Sequence, residues 1–133
     1  MTVFVDTSAW YALASKGDDD HALAQAVYRD LVDRNERLLT TSYVLAETMG
    51  LIQHRLGWGP LGLFAKAAHT LDVCWIDRAR HVESEKLLLE RRRRALNIVD
   101  AASFVVMREL GIEDAFAIDR DFQREGFRLL EPR

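Results

Sequence analysis

Apolar residues along this chain follow two rhythms. Short continuous runs, TVFV at 2–5, RLLTT at 37–41, LDVCWI at 71–76 and AFAI at 115–118, have the pattern of strands covered on both faces. FRLL at 127–130 predicts a short fifth strand. Between the runs the spacing changes to that of helices. A helix is predicted over 18–36, with Leu23, Val27 and Leu31 on one stripe and Asp18, Asp19 and Asp20 complementing the dipole at its start. Another is predicted over 42–56, capped by Ser42, with Leu45, Met49, Ile52 and Leu56 along one face. Gly57, Gly59 and Pro60 interrupt this pattern, and Pro60 is placed to open a further helix. A charged helix over 78–94 follows the third strand. Asn97 is placed to cap a last long helix over 98–110, ended by Gly111. Strands alternating with helices predict an α/β fold: a central parallel sheet of four to five strands flanked by helices, in a single domain over 1–133.

Composition adds little that the pattern does not. At 133 residues and 49% hydrophobic, the chain suits one core. It has no apolar run of about 18 residues and no basic, apolar leader, so neither a membrane span nor a secretory signal is expected. The single Cys74 has no internal disulfide partner and reads as a small buried hydrophobe. A cytoplasmic location is the expectation. The net charge of −3 does not by itself point to nucleic acid, but arginines crowd one stretch, ERRRR at 90–94.

The acids change the picture. Asp6 directly follows the first buried strand, and Asp119 follows the fourth in AFAIDRDF. In open parallel sheets, ligands sit outside the carboxyl ends of the strands. Asp100 falls in the first turn of the helix opening NIVDAASF. Glu47 lies two residues from Leu45, about 200° around the helix, and so points away from the Leu45 stripe, beside Val44 and Leu51. Each has an ordinary alternative: Asp6 and Asp119 as helix caps, Asp100 as a dipole complement, Glu47 paired with Arg55.

Four segments, VDTSAWYAL, TSYVLAET, NIVDAASFVVMRELGI and AIDRDFQREGFRLL, occur in order across essentially the whole chain. In this order and spacing they resemble the PIN domain, and most closely the VapC-type toxins of toxin–antitoxin pairs. The resemblance implies a PIN-like fold and matches Asp6, Glu47, Asp100 and Asp119 to the family's acidic quartet. It also implies a ribonuclease that leaves a 5′-phosphate and a 3′-hydroxyl, a homodimer, and a cognate antitoxin that places a C-terminal segment over the acidic site. The sequence departs from the family at Asn97, where such toxins often carry Ser or Thr, and at Ala117, where they often carry Thr. Asp121 is a second candidate for the role given to Asp119.

Clustered carboxylates repel one another and must be protonated or neutralised by a cation. Oxygen-only ligands favour Mg²⁺ or Mn²⁺. His21, His54, His69 and His81 show no i, i+4 pairing, which speaks against zinc. The expected arrangement gives the metal to Asp6, Asp100 and Asp119. Glu47 then orients the attacking water or binds a second metal. Ser8 either bonds Asp6 or a phosphate, or simply starts a helix. RNA needs cationic contacts beyond the acids. Arg91, Arg92, Arg93 and Arg94 of the basic run, two of which could face RNA together, and Arg120 and Arg124 near Asp119 are the candidates; a solvated helix end is the alternative for the run. Trp10 and Tyr11 suit core or dimer packing better than base stacking. The apolar helices within 42–72 are candidates for the antitoxin groove and for dimer contacts.

Two other strand-then-acid enzymes fit poorly. A haloacid-dehalogenase-type phosphatase needs an acid where Ser8 stands, and a receiver domain needs a lysine after the last strand. The stronger alternative is a PIN fold that binds RNA or protein without cutting.

Overall fold

The computed structural model describes residues 1–132. Its five strands are β1 (Thr2–Val5), β2 (Arg37–Thr41), β3 (Asp72–Cys74), β4 (Asp114–Phe116) and β5 (Arg128–Leu129). Its helices are α1 (Thr7–Ala14), α2 (His21–Asp33), α3 (Ser42–Leu56), α4 (Trp58–Ala68), α5 (Arg78–Arg91), α6 (Ile98–Leu110) and α7 (Asp121–Arg124). The strands form one parallel sheet in the order β3-β2-β1-β4-β5. The chain thus builds outward from β1 to β3 on one side, then returns to lay β4 and β5 on the other. The reversal falls between β1 and β4, the place where this kind of sheet opens a crevice for a ligand.

Two groups of side chains make the core. Val3, Phe4 and Val5 of β1 are buried on both faces of the sheet, as the uninterrupted apolar run requires. Phe104 of α6 meets Phe122 of α7 edge-on, with ring centroids 5.0 Å apart, and Phe4 lies against Phe122. Across the sheet, Trp10 packs edge-on against Phe64 and Tyr28. Each such ring contributes about 1.5–3 kcal/mol by leaving water.

The helical stripes differ in detail from the sequence pattern. In α3 the buried line is Val44, Thr48 and Ile52, and Met49 is exposed. In α2 the small Ala24 faces the core and Leu23 lies outside. On α2, Val27 and Leu31 of the predicted stripe are buried with Ala24, and on α3 Ile52 of the predicted stripe is buried with Val44 and Thr48. Helix α2 starts at His21, because 15–20 form a turn in which Asp18 accepts a hydrogen bond from the Asp20 N–H. Thr41, not Ser42, caps α3; its hydroxyl accepts from the Val44 N–H, and Ser42 Oγ instead accepts from Ile76 N–H. Helix α5 stops at Arg91 because Arg92 turns left-handed, at φ 51°. Cys74 is only half-buried, since β3 is an edge strand.

Candidate active site

At the β1–β4 reversal, an open cavity of about 330 Å³ is lined by Asp6, Glu47, Asp100 and Asp119. Each acid arrives by a different route. Asp6 ends β1 and caps α1, its Oδ2 accepting from the Ser8 N–H (3.1 Å) and the Ser8 hydroxyl (2.7 Å). Asp6 thus caps α1 through Oδ2, while its Oδ1 is buried and has no partner. Ser8 Oγ in turn accepts from the Ile118 N–H at 2.9 Å, tying the end of β1 to the segment after β4.

Asp100 sits in the first turn of α6 in a capping box. Its backbone N–H donates to Asn97 Oδ1 (3.0 Å), and its Oδ2 accepts from the Asn97 N–H (3.1 Å). Asn97 also reaches across to α3, where its Nδ2 donates to Glu47 Oε2 at 3.0 Å. One side chain thus holds two of the four acids in relation to each other. Glu47 makes no ion pair with Arg55; the Arg55 guanidinium lies over the Tyr11 ring instead. Asp119 Oδ1 accepts from the Asp121 N–H at 2.9 Å. Asp121, the second candidate for the role given to Asp119, is buried and lies outside the cavity lining.

The electrostatics register the crowding. Burial pushes the Asp6 carboxyl up to about 6; Ser8 pulls the other way, and the charge of Asp119 adds to the rise. Asp100 is pushed up to about 7, first by burial and then by the charges of Asp6, Asp119 and Glu47, against the pull of the Asn97 N–H. Burial and the neighbouring Asp119 also raise Asp121. Perturbed carboxyls of this kind gather where a protein will meet a proton or a cation.

The donor set is oxygen only, with one buried oxygen unpartnered, which suits a hard divalent ion held partly through water. Among the described residues, no three His, Cys, Asp or Glu side chains are already gathered closely enough to enclose an ion.

The basic residues correct the sequence picture. Arg91 is committed to Glu125, with bonds of 2.8 and 3.2 Å, and Arg93 and Arg108 converge on the same nearly buried carboxylate. Arg91 and Arg92 both lie outside the cavity lining, and Arg92 donates to the Leu89 carbonyl at the helix end. Arg120 is exposed next to Asp119, also outside the lining. The lining brings in residues that the sequence did not single out for it: Asp18, Asp20 and Arg55, with Tyr11. Asp18 and Asp20 were legible only as helix-start acids, because the turn that folds them back leaves no periodic signal. Trp10 belongs to the core, while Tyr11, one residue on, faces the cavity.

Comparison with known proteins gives the family and the fold. The chain is 34% identical to the 23S rRNA-specific endonuclease VapC20 of Mycobacterium tuberculosis, over 98% of both sequences. The crystal structure of that protein, described as a Sarcin-Ricin loop cleaving toxin, superposes with a TM-score of 0.84 at 33% identity, covering 98% of this chain and 99% of that one. PAE2754 from Pyrobaculum aerophilum shares the fold at 21% identity and a TM-score of 0.65, over 97% of this chain and 89% of that one. So does VapBC2 from Rickettsia felis, solved with a DNA fragment from its promoter, at 14% identity and a TM-score of 0.69 over 98% of each chain. The PIN domain profile matches residues 3–127. With that match, the parallel five-stranded sheet and the relatedness to VapC20, the chain belongs to the PIN domain family.

Proposed function

We propose that this protein is a divalent-metal-dependent endoribonuclease toxin, restrained by a cognate antitoxin and acting on structured RNA of the ribosomal kind that VapC20 is named for. The observation that carries the proposal is the convergence of Asp6, Glu47, Asp100 and Asp119 on one cavity, with Asp6 Oδ1 buried and unpartnered.

In this reading Asp6, Asp100 and Asp119 would hold Mg²⁺ or Mn²⁺. When bound, the ion supplies positive charge against the phosphate oxygens and acidifies nearby water. The protein's own groups do the positioning. Ser8 fixes the orientation of Asp6 by donating to Oδ2, which leaves Oδ1 without a hydrogen-bond partner. Glu47, steadied by Asn97, orients the attacking water and accepts its proton. Asp100 is held at the cavity by both halves of its capping box. Each acid thus has one oxygen or one face committed to the scaffold, which limits the motion that would otherwise follow from mutual repulsion.

For the antitoxin, an apolar groove of about 720 Å³ between α1, α2 and α4 offers a docking surface. It is lined by Trp10, Leu13, Tyr28, Leu63 and Phe64, with Lys16 and Arg29 at its rim. Leu63 is 73% exposed there, an open position for an apolar residue of a partner segment. A homodimer and a cytoplasmic location belong to the same proposal. Among the described residues, no helix is long and apolar enough to cross a membrane.

A second reading, a PIN fold that binds without cutting, is favoured by the absence of a ready-made three-ligand metal cluster among the described residues. The two part in a single assay. Purified protein is incubated with total bacterial RNA and Mg²⁺ or Mn²⁺, and the new 5′ ends are mapped. Discrete ends that disappear with chelator and in Asp6→Asn and Asp100→Asn support the nuclease. An uncut RNA pool bound by the protein supports the binding module.

A further inference from the structure

Of the residues lining the acidic cavity, six carry carboxylates and one carries a positive charge: Arg55, in the last turn of α3. An arginine so placed would be expected to pair with an acid. It pairs with none among the described residues; its guanidinium carbon stands 5.4 Å from the centroid of the Tyr11 ring. The ring face steadies the cation by its quadrupole and leaves the N–H edges of the planar group free, since stacking uses only the face. Of the lining acids, Glu47 accepts from Asn97 and Asp18 accepts from the Asp20 N–H, and neither pairs with Arg55. The chain therefore keeps one unneutralised fork of donors at the mouth of a cavity that would otherwise repel any polyanion.

From this we propose that Arg55, braced on Tyr11, is a substrate-binding residue that grips a phosphate of the RNA next to the bond to be cut. The proposal deepens the nuclease reading and rests on it for the identity of the polyanion. Its chemistry is that of a guanidinium recognising a phosphate through paired, charge-assisted hydrogen bonds. It gives the site what the arginines of 91–93 cannot: a cation inside the lining, not bound to Glu125 or to a helix end. Helix α3 then serves the reaction twice, through Glu47 on the chemical side and Arg55 two turns later on the substrate side.

The test measures binding without cleavage. Asp100→Asn protein is titrated, with Mg²⁺ present, against a fluorescein-labelled RNA hairpin over a series of KCl concentrations. Arg55→Gln is expected to weaken binding about tenfold and to lower the slope of log K against log[KCl] by about one, the signature of one lost phosphate contact. Arg55→Lys keeps the charge and the salt slope but loses the planar fork, and is expected to bind a few-fold more weakly. Tyr11→Phe, which keeps the ring, should match the parent, and Tyr11→Leu should match Arg55→Lys. Binding by Arg55→Gln within twofold of the parent, with an unchanged slope, overturns the proposal. If the wild type cuts RNA while Arg55→Gln binds and cuts as well as it does, the proposal fails and the nuclease reading stands. If the wild type cuts no RNA but the Arg55→Gln loss persists, Arg55 is upheld as an RNA contact and the nuclease reading fails.

Discussion

Asn97 departs from the Ser or Thr expected of VapC-type toxins, and the structure supplies its use. The amide offers one acceptor and two donors, so it can cap α6 through Oδ1 and still bond Glu47 through Nδ2. A hydroxyl has less reach. Asn97→Ser is therefore predicted to keep the cap and the melting temperature while losing the Glu47 link, with kcat for RNA cleavage falling several-fold and KM little changed. Asn97→Ala should lose the cap as well, costing about 1 kcal/mol of stability in denaturant titration. The same scale shows what sequence could and could not reveal. Asp6, Asp100 and Asp119 were legible because strand ends and first helical turns are marked by an abrupt change from apolar to acidic. Arg55 was legible only as an ordinary ion-pair partner for Glu47, and only the fold shows that it stands over Tyr11 instead.

Among the elements, α5, α6 and α7 are clasped by Glu125. Arg91 from the end of α5, Arg93 just beyond it and Arg108 from α6 all bond this one carboxylate. Arg91 above all holds Glu125 below the usual carboxylate range. The basic run at 90–94 thus spends two of its arginines on tertiary structure. Sequence alone presented the run as a patch, since it does not reveal that Glu125, more than 30 residues later, returns to neutralise it. Glu125→Gln would leave three guanidinium groups around a neutral amide. It is predicted to destabilise the fold by about 1–3 kcal/mol in denaturant titration, discounted from a fully buried pair because the arginines are partly exposed. Element positions were otherwise well marked: β1, β2, α3 and α6 end where the pattern placed them. The stripes on α2 and α3 were right at Val27, Leu31 and Ile52 and missed at Leu23 and Met49, which are exposed.

Over the whole molecule, the acids make the fold pay for its site. Asp6 and Asp100 titrate near 6 and 7 when folded and near 3.8 when unfolded, so the folded state binds more protons between these values. Stability is then greatest with both protonated and falls as pH rises from about 4 to about 7, by on the order of a few kcal/mol in total. Glu125 acts in the opposite sense: its lowered value adds stability above about pH 4.5 that is lost on acidification. The metal-free protein should accordingly show a stability maximum near pH 4 in denaturant titration. Asp100→Asn, which replaces a charge that burial opposes with a neutral acceptor for the Asn97 N–H, is predicted to raise stability at pH 8 by about 1–3 kcal/mol while abolishing cleavage. In the proposed reading, the sheet reversal between β1 and β4 is built around a cationic partner for that charge.

That partner can be titrated directly. Binding of Mn²⁺ to the purified protein at pH 8, followed by the loss of the free-ion electron paramagnetic resonance signal, should reveal a saturable site that Asp6→Asn and Asp100→Asn each abolish. Equal Mn²⁺ uptake by the wild type and both variants, or none by any of them, would contradict the claim that these carboxylates form one ion-binding centre.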